Sequence, residues 1–235
     1  MDIKGAKELI GAVLTLEDSK QNEISNWKSD KNKVWEIDVN TLVVGEEYTL
    51  KETTAPTGYN KITTEIKFKI DANYNITVTS GTTGEYEVKN GVLLVKDEPK
   101  TIKINKMDIK GAKELIGAVL TLEDSKQTTV SNWTSAKDAV WEVDVNDLVV
   151  GEEYTLKETT EPTGYNKITT DIKFKIDANY NITVTSGTTG EYEVKNGVLL
   201  VKDEPIVIKI NKMNIKGTAE LPDAELKLYD ATGTK

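Results

Sequence analysis

The chain has 235 residues, 37% of them hydrophobic and 29% charged, which fits a folded chain of about two domains. Its formal net charge of −9 argues against nucleic acid and anionic membrane surfaces as partners. With no Cys and no His, disulfides, thiol nucleophiles, Ser-His catalysis and the usual zinc sites are excluded, and no cofactor or metal is expected.

No apolar run reaches membrane-spanning length, so membrane insertion is not expected. The dominant feature is a repeat. MDIKGAKELIGAVLTLEDSKQ opens the chain at Met1 and returns unchanged at Met107, and a diverged copy, MNIKGTAELPDAELKLYD, begins at Met213. The offset is 106 residues both times, and the first two copies differ at only about a dozen positions. So long a period fits one domain per unit rather than a short solenoid turn. The expected division is a repeat lacking its first strand over 1–99, a complete repeat over 100–205, and the first strands of a third over 206–235.

In the second repeat nearly every segment reads as a strand. Thr101–Lys106 alternates, with Ile102, Ile104 and Lys106 on one face. Ala112–Ile116 reads as a loop, and Ala118–Leu122 as the next strand. Val140–Val145 alternates again. In YTLKETTEPTGY, Tyr154 to Tyr165, the residues Tyr154, Leu156 and Glu158 share a face before Pro and Gly end the strand in a turn. Ile168, Thr170, Ile172, Phe174 and Ile176 form a period-two row, and Ile182–Thr185 is a short strand. Asn196-Gly197 signals a tight hairpin, followed by VLLVKDEP, where Leu199, Val201 and Asp203 share a face. About seven short strands per hundred residues, with no convincing helix, predict an all-β fold of tandem β-sandwiches.

Strand parity thus aims Lys106, Glu158 and Asp203 at the core. Any one of them could be a strand-end residue turning toward solvent. All three, on a first, a middle and a last strand, point instead to a buried cluster. Burial favours neutral amine and neutral acid over the charged forms. A neutral amine is a nucleophile, and a neighbouring protonated carboxyl can polarise a carbonyl and relay protons. The product of such a cluster would be a Lys106–Asp203 isopeptide bond assisted by Glu158.

YTLKETTEPTGY resembles the E-box of Gram-positive pilins and the matching segment of collagen-adhesin B-type (Cna B-type) domains. IKINKMDIKGAKELIGA is similar to that family's first-strand region, and VKDEP to its last-strand motif; the three occur in the family's order. The resemblance implies an immunoglobulin-like sandwich whose first and last strands are neighbours. It implies Lys106 as nucleophile, Asp203 as electrophile and Glu158 as proton relay, with Glu52 and Asp97 in the last two roles in repeat one.

At the ends this chain departs from the pattern. Glu52 and Asp97 have no lysine at the family's position, because by the repeat it falls immediately before Met1, while Lys212 in IVIKINK points inward beside Ile208 and Ile210 but has no acid. Either the chain is a window on a longer array, or the strand of Lys212 enters repeat one of the next chain and reacts with Asp97, linking chains head to tail.

Asp71-Ala-Asn73-Tyr-Asn75 imitates the start of a calcium loop but lacks its Gly and final Glu, and reads as a polar turn. Trp27, Trp35, Trp133 and Trp141 read as packing residues rather than a sugar-stacking platform. The expected function is structural: stalk or spacer repeats of a bacterial surface adhesin or pilin-like fibre, extracellular and attached to the cell surface or wall. Such repeats pack against their neighbours and perform no turnover catalysis. The rival reading is a ligand-binding module for a host matrix protein or glycan, since the differences between repeats cluster around Asn22–Asn32 and Thr128–Asp138.

Overall fold

Alternating side chains become strands wherever a neighbouring strand takes up the backbone hydrogen bonds, and the two repeats differ in where such a neighbour exists. The computed structural model describes residues 1–3, 7–229 and 231–232. Repeat one contains β1 (Val13–Glu17), β2 (Glu23–Lys28), β3 (Glu47–Thr54), β4 (Ile66–Ile70), β5 (Ile76–Ser80), β6 (Tyr86–Lys89) and β7 (Val92–Val95). Repeat two begins with β8 (Thr101–Asp108), β9 (Val119–Glu123), β10 (Thr129–Thr134), β11 (Trp141–Asp144) and β12 (Glu153–Thr160). It continues with β13 (Tyr165–Asn166), β14 (Ile172–Ile176), β15 (Ile182–Ser186), β16 (Tyr192–Lys195) and β17 (Val198–Pro205).

Repeat two is an all-β sandwich. One sheet runs β10-β9-β12-β14-β15, and the other β11-β8-β17-β13 with β16 also on β17. Its pairings are antiparallel except that of β8 with β17, which join the first and last strands of the repeat in parallel. Inward residues of both sheets form one core, with Ile104, Leu120, Leu156, Phe174, Leu199 and Val201 completely buried. The β16–β17 hairpin turns at Asn196 (φ 52°) and Gly197 (φ 77°), the left-handed pair that a two-residue type I′ turn requires. At the entry to β9, the buried Ser135 hydroxyl accepts the Ala118 amide at 2.9 Å.

Several strands differ from the sequence reading. The row from Ile168 to Ile176 is strand only over β14; Ile168 is buried in the preceding loop and Thr170 is exposed. The alternation at Val140–Val145 forms β11 only to Asp144, whose carboxylate accepts the Asn146 amide at 2.8 Å and starts a 3-10 turn over Val145–Asp147. β10 and β13, too polar or too short to show an apolar face, are additional.

Repeat one forms the first sheet in the same order, β2-β1-β3-β4-β5, but its second sheet is reduced to β6-β7. There the counterpart of β11 is not a strand, and β7 has four residues where β17 has eight. Beyond repeat two, the strand expected at Ile206–Lys212 is absent; Ile208 and Ile210 are 89% and 68% exposed, and Lys212 lies in solvent rather than facing a core. The described residues after Pro205 hold no strand, only an isolated bridge between Met213 and Glu220. Alternation supplies a face to bury, and without a partner sheet it does not make a strand.

Ser135→Ala leaves the buried Ala118 amide without its acceptor. It should lower the stability of repeat two by about 1–3 kcal/mol in urea unfolding.

Candidate functional site: a buried lysine between two carboxyls

Three strands deliver one side chain each to a single point in the core of repeat two. Lys106 lies on β8, directly opposite Val201 of β17 in the parallel register, while Asp203 lies two residues further along β17 on the same face. The lysine stem runs along the strand past that offset. Glu158 comes from β12 in the facing sheet, at the irregularity between Glu158 and Thr160 where β12 slips against β9. A bulge of this kind re-aims a side chain, here toward the opposite sheet.

The Lys106 ammonium donates to Glu158 Oε2 at 2.9 Å and to Asp203 Oδ1 in a short contact, and all three side chains have zero exposure. Glu158 Oε2 also accepts the Ile168 amide at 3.0 Å, so the loop before β14 fixes this carboxyl. The remaining oxygens, Glu158 Oε1 and Asp203 Oδ2, are buried without a hydrogen-bond partner among the described residues. Burial pushes the Asp203 carboxyl up to about 7, opposed by the hydrogen bond and charge of Lys106 and reinforced by the Glu158 carboxyl. A neutral acid beside an amine, each shut off from water, is therefore accessible near neutral pH.

In repeat one the two acids occupy the same places. Glu52 and Asp97 are 5% and 3% exposed, and Glu52 Oε2 accepts the Ile62 amide at 2.9 Å, as Glu158 does from Ile168. Burial raises Glu52 to about 7, with Asp97 adding to the shift and the Ile62 amide opposing it. Asp97 rises to about 6, again mainly through burial, while the Met1 amino group pulls the other way. No lysine side chain bonds to either acid among the described residues. Lys212, the remaining residue expected to bear on this chemistry, is exposed and far along the chain. The backbone partners of the site, the Ile62 and Ile168 amides, escape sequence reasoning because a main-chain donor leaves no residue signature.

The other polar signals have local uses. Asp71 Oδ1 accepts the Asn73 and Asn75 amides at 2.8 and 2.9 Å, which makes its loop a self-bonded turn. Trp133 stacks on Trp141 at 6.0 Å between ring centroids, and Trp141 is part of the core. Among the described residues no helix is long and apolar enough to cross a membrane.

Residues 1–89 and 100–195 match the family model of SpaA prealbumin-like fold domains. No curated protein matches the chain. Among solved structures, the C-terminal fragment of the pilus adhesin SpaC from Lactobacillus rhamnosus GG is 20% identical, with 85% of this chain and 91% of that one covered and a TM-score of 0.37. The Bacillus anthracis TIE protein is 22% identical over 86% of this chain and 32% of its own, with a TM-score of 0.41. The shaft pilin SpaA from L. rhamnosus GG is 15% identical over 88% and 92%, with a TM-score of 0.30.

The raised acids of repeat one carry a pH signature. A carboxyl whose folded value lies above its unfolded one binds its proton more tightly in the folded state. Its stabilising effect is then full below the unfolded value and is lost as pH rises through the folded one. Repeat one should therefore lose stability as pH climbs from about 4 to about 7. Thermal unfolding across that window should show the decline, and Glu52→Gln should flatten it.

Proposed function

The chain belongs to the family of SpaA prealbumin-like fold domains, and from that premise we propose that it forms spacer repeats of a cell-surface adhesin or pilin-like fibre, each locked by an internal Lys-Asp amide. The observation that carries this reading is the water-free contact of Lys106 with Asp203 and Glu158.

The chemistry is a condensation. The neutral Lys106 amine attacks Cγ of the protonated Asp203, forming the Nζ–Cγ bond. Glu158, in contact with the amine, takes an amine proton and returns one to the departing hydroxyl. The C–O bond breaks, and one water leaves. Held in contact by the fold, amine and acid reach an effective molarity of up to ~10⁵ M or more. The reaction also replaces a buried ion pair, whose desolvation is costly, with a neutral amide. It happens once, within its own chain, so the protein is self-modifying rather than a turnover enzyme.

The bond would close a loop spanning 97 residues. By analogy with disulfides of that span, it would stabilise repeat two by about 4–5 kcal/mol through the unfolded state. Near-identity of the two repeats favours a spacer, which needs length and strength, over a binder, which needs a distinctive surface.

Repeat two should be lighter than its sequence by one water in intact mass spectrometry under denaturing conditions. Lys106→Ala and Glu158→Ala should each restore the missing water, and retention of the loss in either variant would sink the assignment. Pulled from its ends in single-molecule stretching, repeat two should give no extension from residues 107–202. A full-length unfolding step would show that the bond does not carry the tension.

A further inference from the structure

Repeat two follows repeat one without a loose linker. β7 ends at Val95 and β8 begins at Thr101, and the backbone between them is bonded into both repeats. Lys96 donates its amide to the Glu85 carbonyl at 2.7 Å, and the Glu98 carbonyl accepts the Asn60 amide at 2.8 Å. Lys100 donates its amide to the Gly58 carbonyl at 2.8 Å, and its own carbonyl accepts the Val145 amide at 3.0 Å, so one residue is tied to each side. Pro99, whose ring fixes its own φ and restricts the residue before it, bridges to Tyr59.

Side chains close over this backbone. The turn over 56–59 presents Gly58 at φ 83°, and the Asn146 side chain of repeat two fills the space where a Cβ would stand. Asn146 Oδ1 lies 2.5 Å from that point, and Nδ2 donates to the Gly58 carbonyl at 3.4 Å. Asn146 is itself held by Asp144, whose Oδ1 accepts both its amide and its Nδ2 at 2.8 Å, so the 3-10 turn over Val145–Asp147 arrives preshaped. Tyr59 is 6% exposed, and burial, followed by the Asp144 carboxylate, pushes its phenol above the ordinary value. The Lys100 ammonium stands 5.6 Å over the Tyr180 ring, which anchors the linking residue to repeat two.

We propose that the turn over 56–59 is a socket for the capped 3-10 turn of the following repeat, and that this contact sets one fixed angle between consecutive repeats. Both halves recur in each repeat, at opposite ends. The 3-10 turn lies at the entry end, since Asp144 pairs with Thr101 at the start of β8, and the socket at the exit end, since Tyr165 pairs with Pro205 at the end of β17. Repeat one has the same capped turn, with Asp38 Oδ1 accepting the Asn40 amide at 2.9 Å, and repeat two has the same socket sequence over 162–165. A heterologous contact repeated at one angle gives a stiff stalk with a regular twist, in place of beads on a loose string. Such stiffness serves the proposed spacer role, while the contact involves neither Lys106 nor Asp203 and so holds with or without the amide.

The chain has no Cys, so spin labels on Lys69→Cys and Lys175→Cys, exposed equivalents on β4 and β14, report the distance between repeats by double electron–electron resonance. A fixed angle should give one narrow distribution, and a broad one overturns the proposal. Gly58→Ala should shift and broaden it by driving a methyl into Asn146, and adding Asn146→Ala should bring back the narrow peak. An unchanged distribution in Gly58→Ala overturns the socket. So does broadening that Asn146→Ala fails to reverse, because strain at the positive φ would then be its cause. Lys100→Ala combined with Asn146→Ala removes both side-chain ties without entering either core, and it decides the matter if Gly58→Ala does not fold. That pair should broaden the distribution, and a narrow peak retained in it overturns the proposal.

Discussion

An ammonium group taken wholly out of water costs several kcal/mol unless its surroundings return the lost solvation. In repeat two that return comes from two carboxyls on two different sheets, and this requirement constrains the rest of the domain. Lys106 can meet Asp203 only if β8 lies parallel to β17 in the observed register. It can meet Glu158 only if the two sheets pack face to face and β12 is offset beside β9. The Ile168 amide, which holds Glu158 Oε2, further requires the loop before β14 to fold inward. Strand order, sheet packing and one loop therefore all bear on a single nitrogen atom.

Repeat one shows what remains when the lysine strand is not in place. The five-stranded sheet keeps its order and its hairpins, because each of its strands still has its neighbours. The other sheet keeps only the β6–β7 hairpin, and the tryptophan segment that pairs with β8 in repeat two is left without strand structure. The acids stay buried, and that burial holds their proton affinities above the ordinary carboxylate range, with the Met1 amino group opposing the shift. The near-identity of the two repeats removes local sequence as the cause: Trp35 and Trp141 head similar segments, and only one has a partner strand. Strand formation here is a property of the pair and not of the segment.

The same physics decides how much of the fold and site is legible in the amino-acid sequence. Period-two alternation places Lys106, Glu158 and Asp203 on inward faces, and the structure brings the three together, because parity survives small errors in strand limits. The Asn196-Gly197 turn is equally legible, since left-handed φ values narrow the choice of residue. Alternation misleads where burial does not require a ladder: Ile168 is in the core from a loop, so its row looks longer than β14. It also misleads at Ile206–Lys212, where the pattern is as clean as in β8 but no sheet edge is supplied. β10 is hidden for the opposite reason, because it lies on the sheet edge with polar residues toward solvent.

Parallel pairing of the first and last strands would give the proposed amide a particular mechanical meaning. The chain enters repeat two at the start of β8 and leaves at the end of β17, so tension pulls these strands lengthwise past each other and loads their hydrogen bonds in shear. Lys106 and Asp203 both lie near the downstream ends of their strands. With the amide in place, force entering at Thr101 runs through β8 to Lys106, crosses to Asp203 and leaves within two residues at Pro205. Nearly the whole domain would then hang outside the load path, and its marginal non-covalent stability would no longer limit the tension that repeat two withstands. A bond between any other strand pair would leave part of the sandwich in series with the load. The parallel β8–β17 contact is thus where one covalent link protects the most chain.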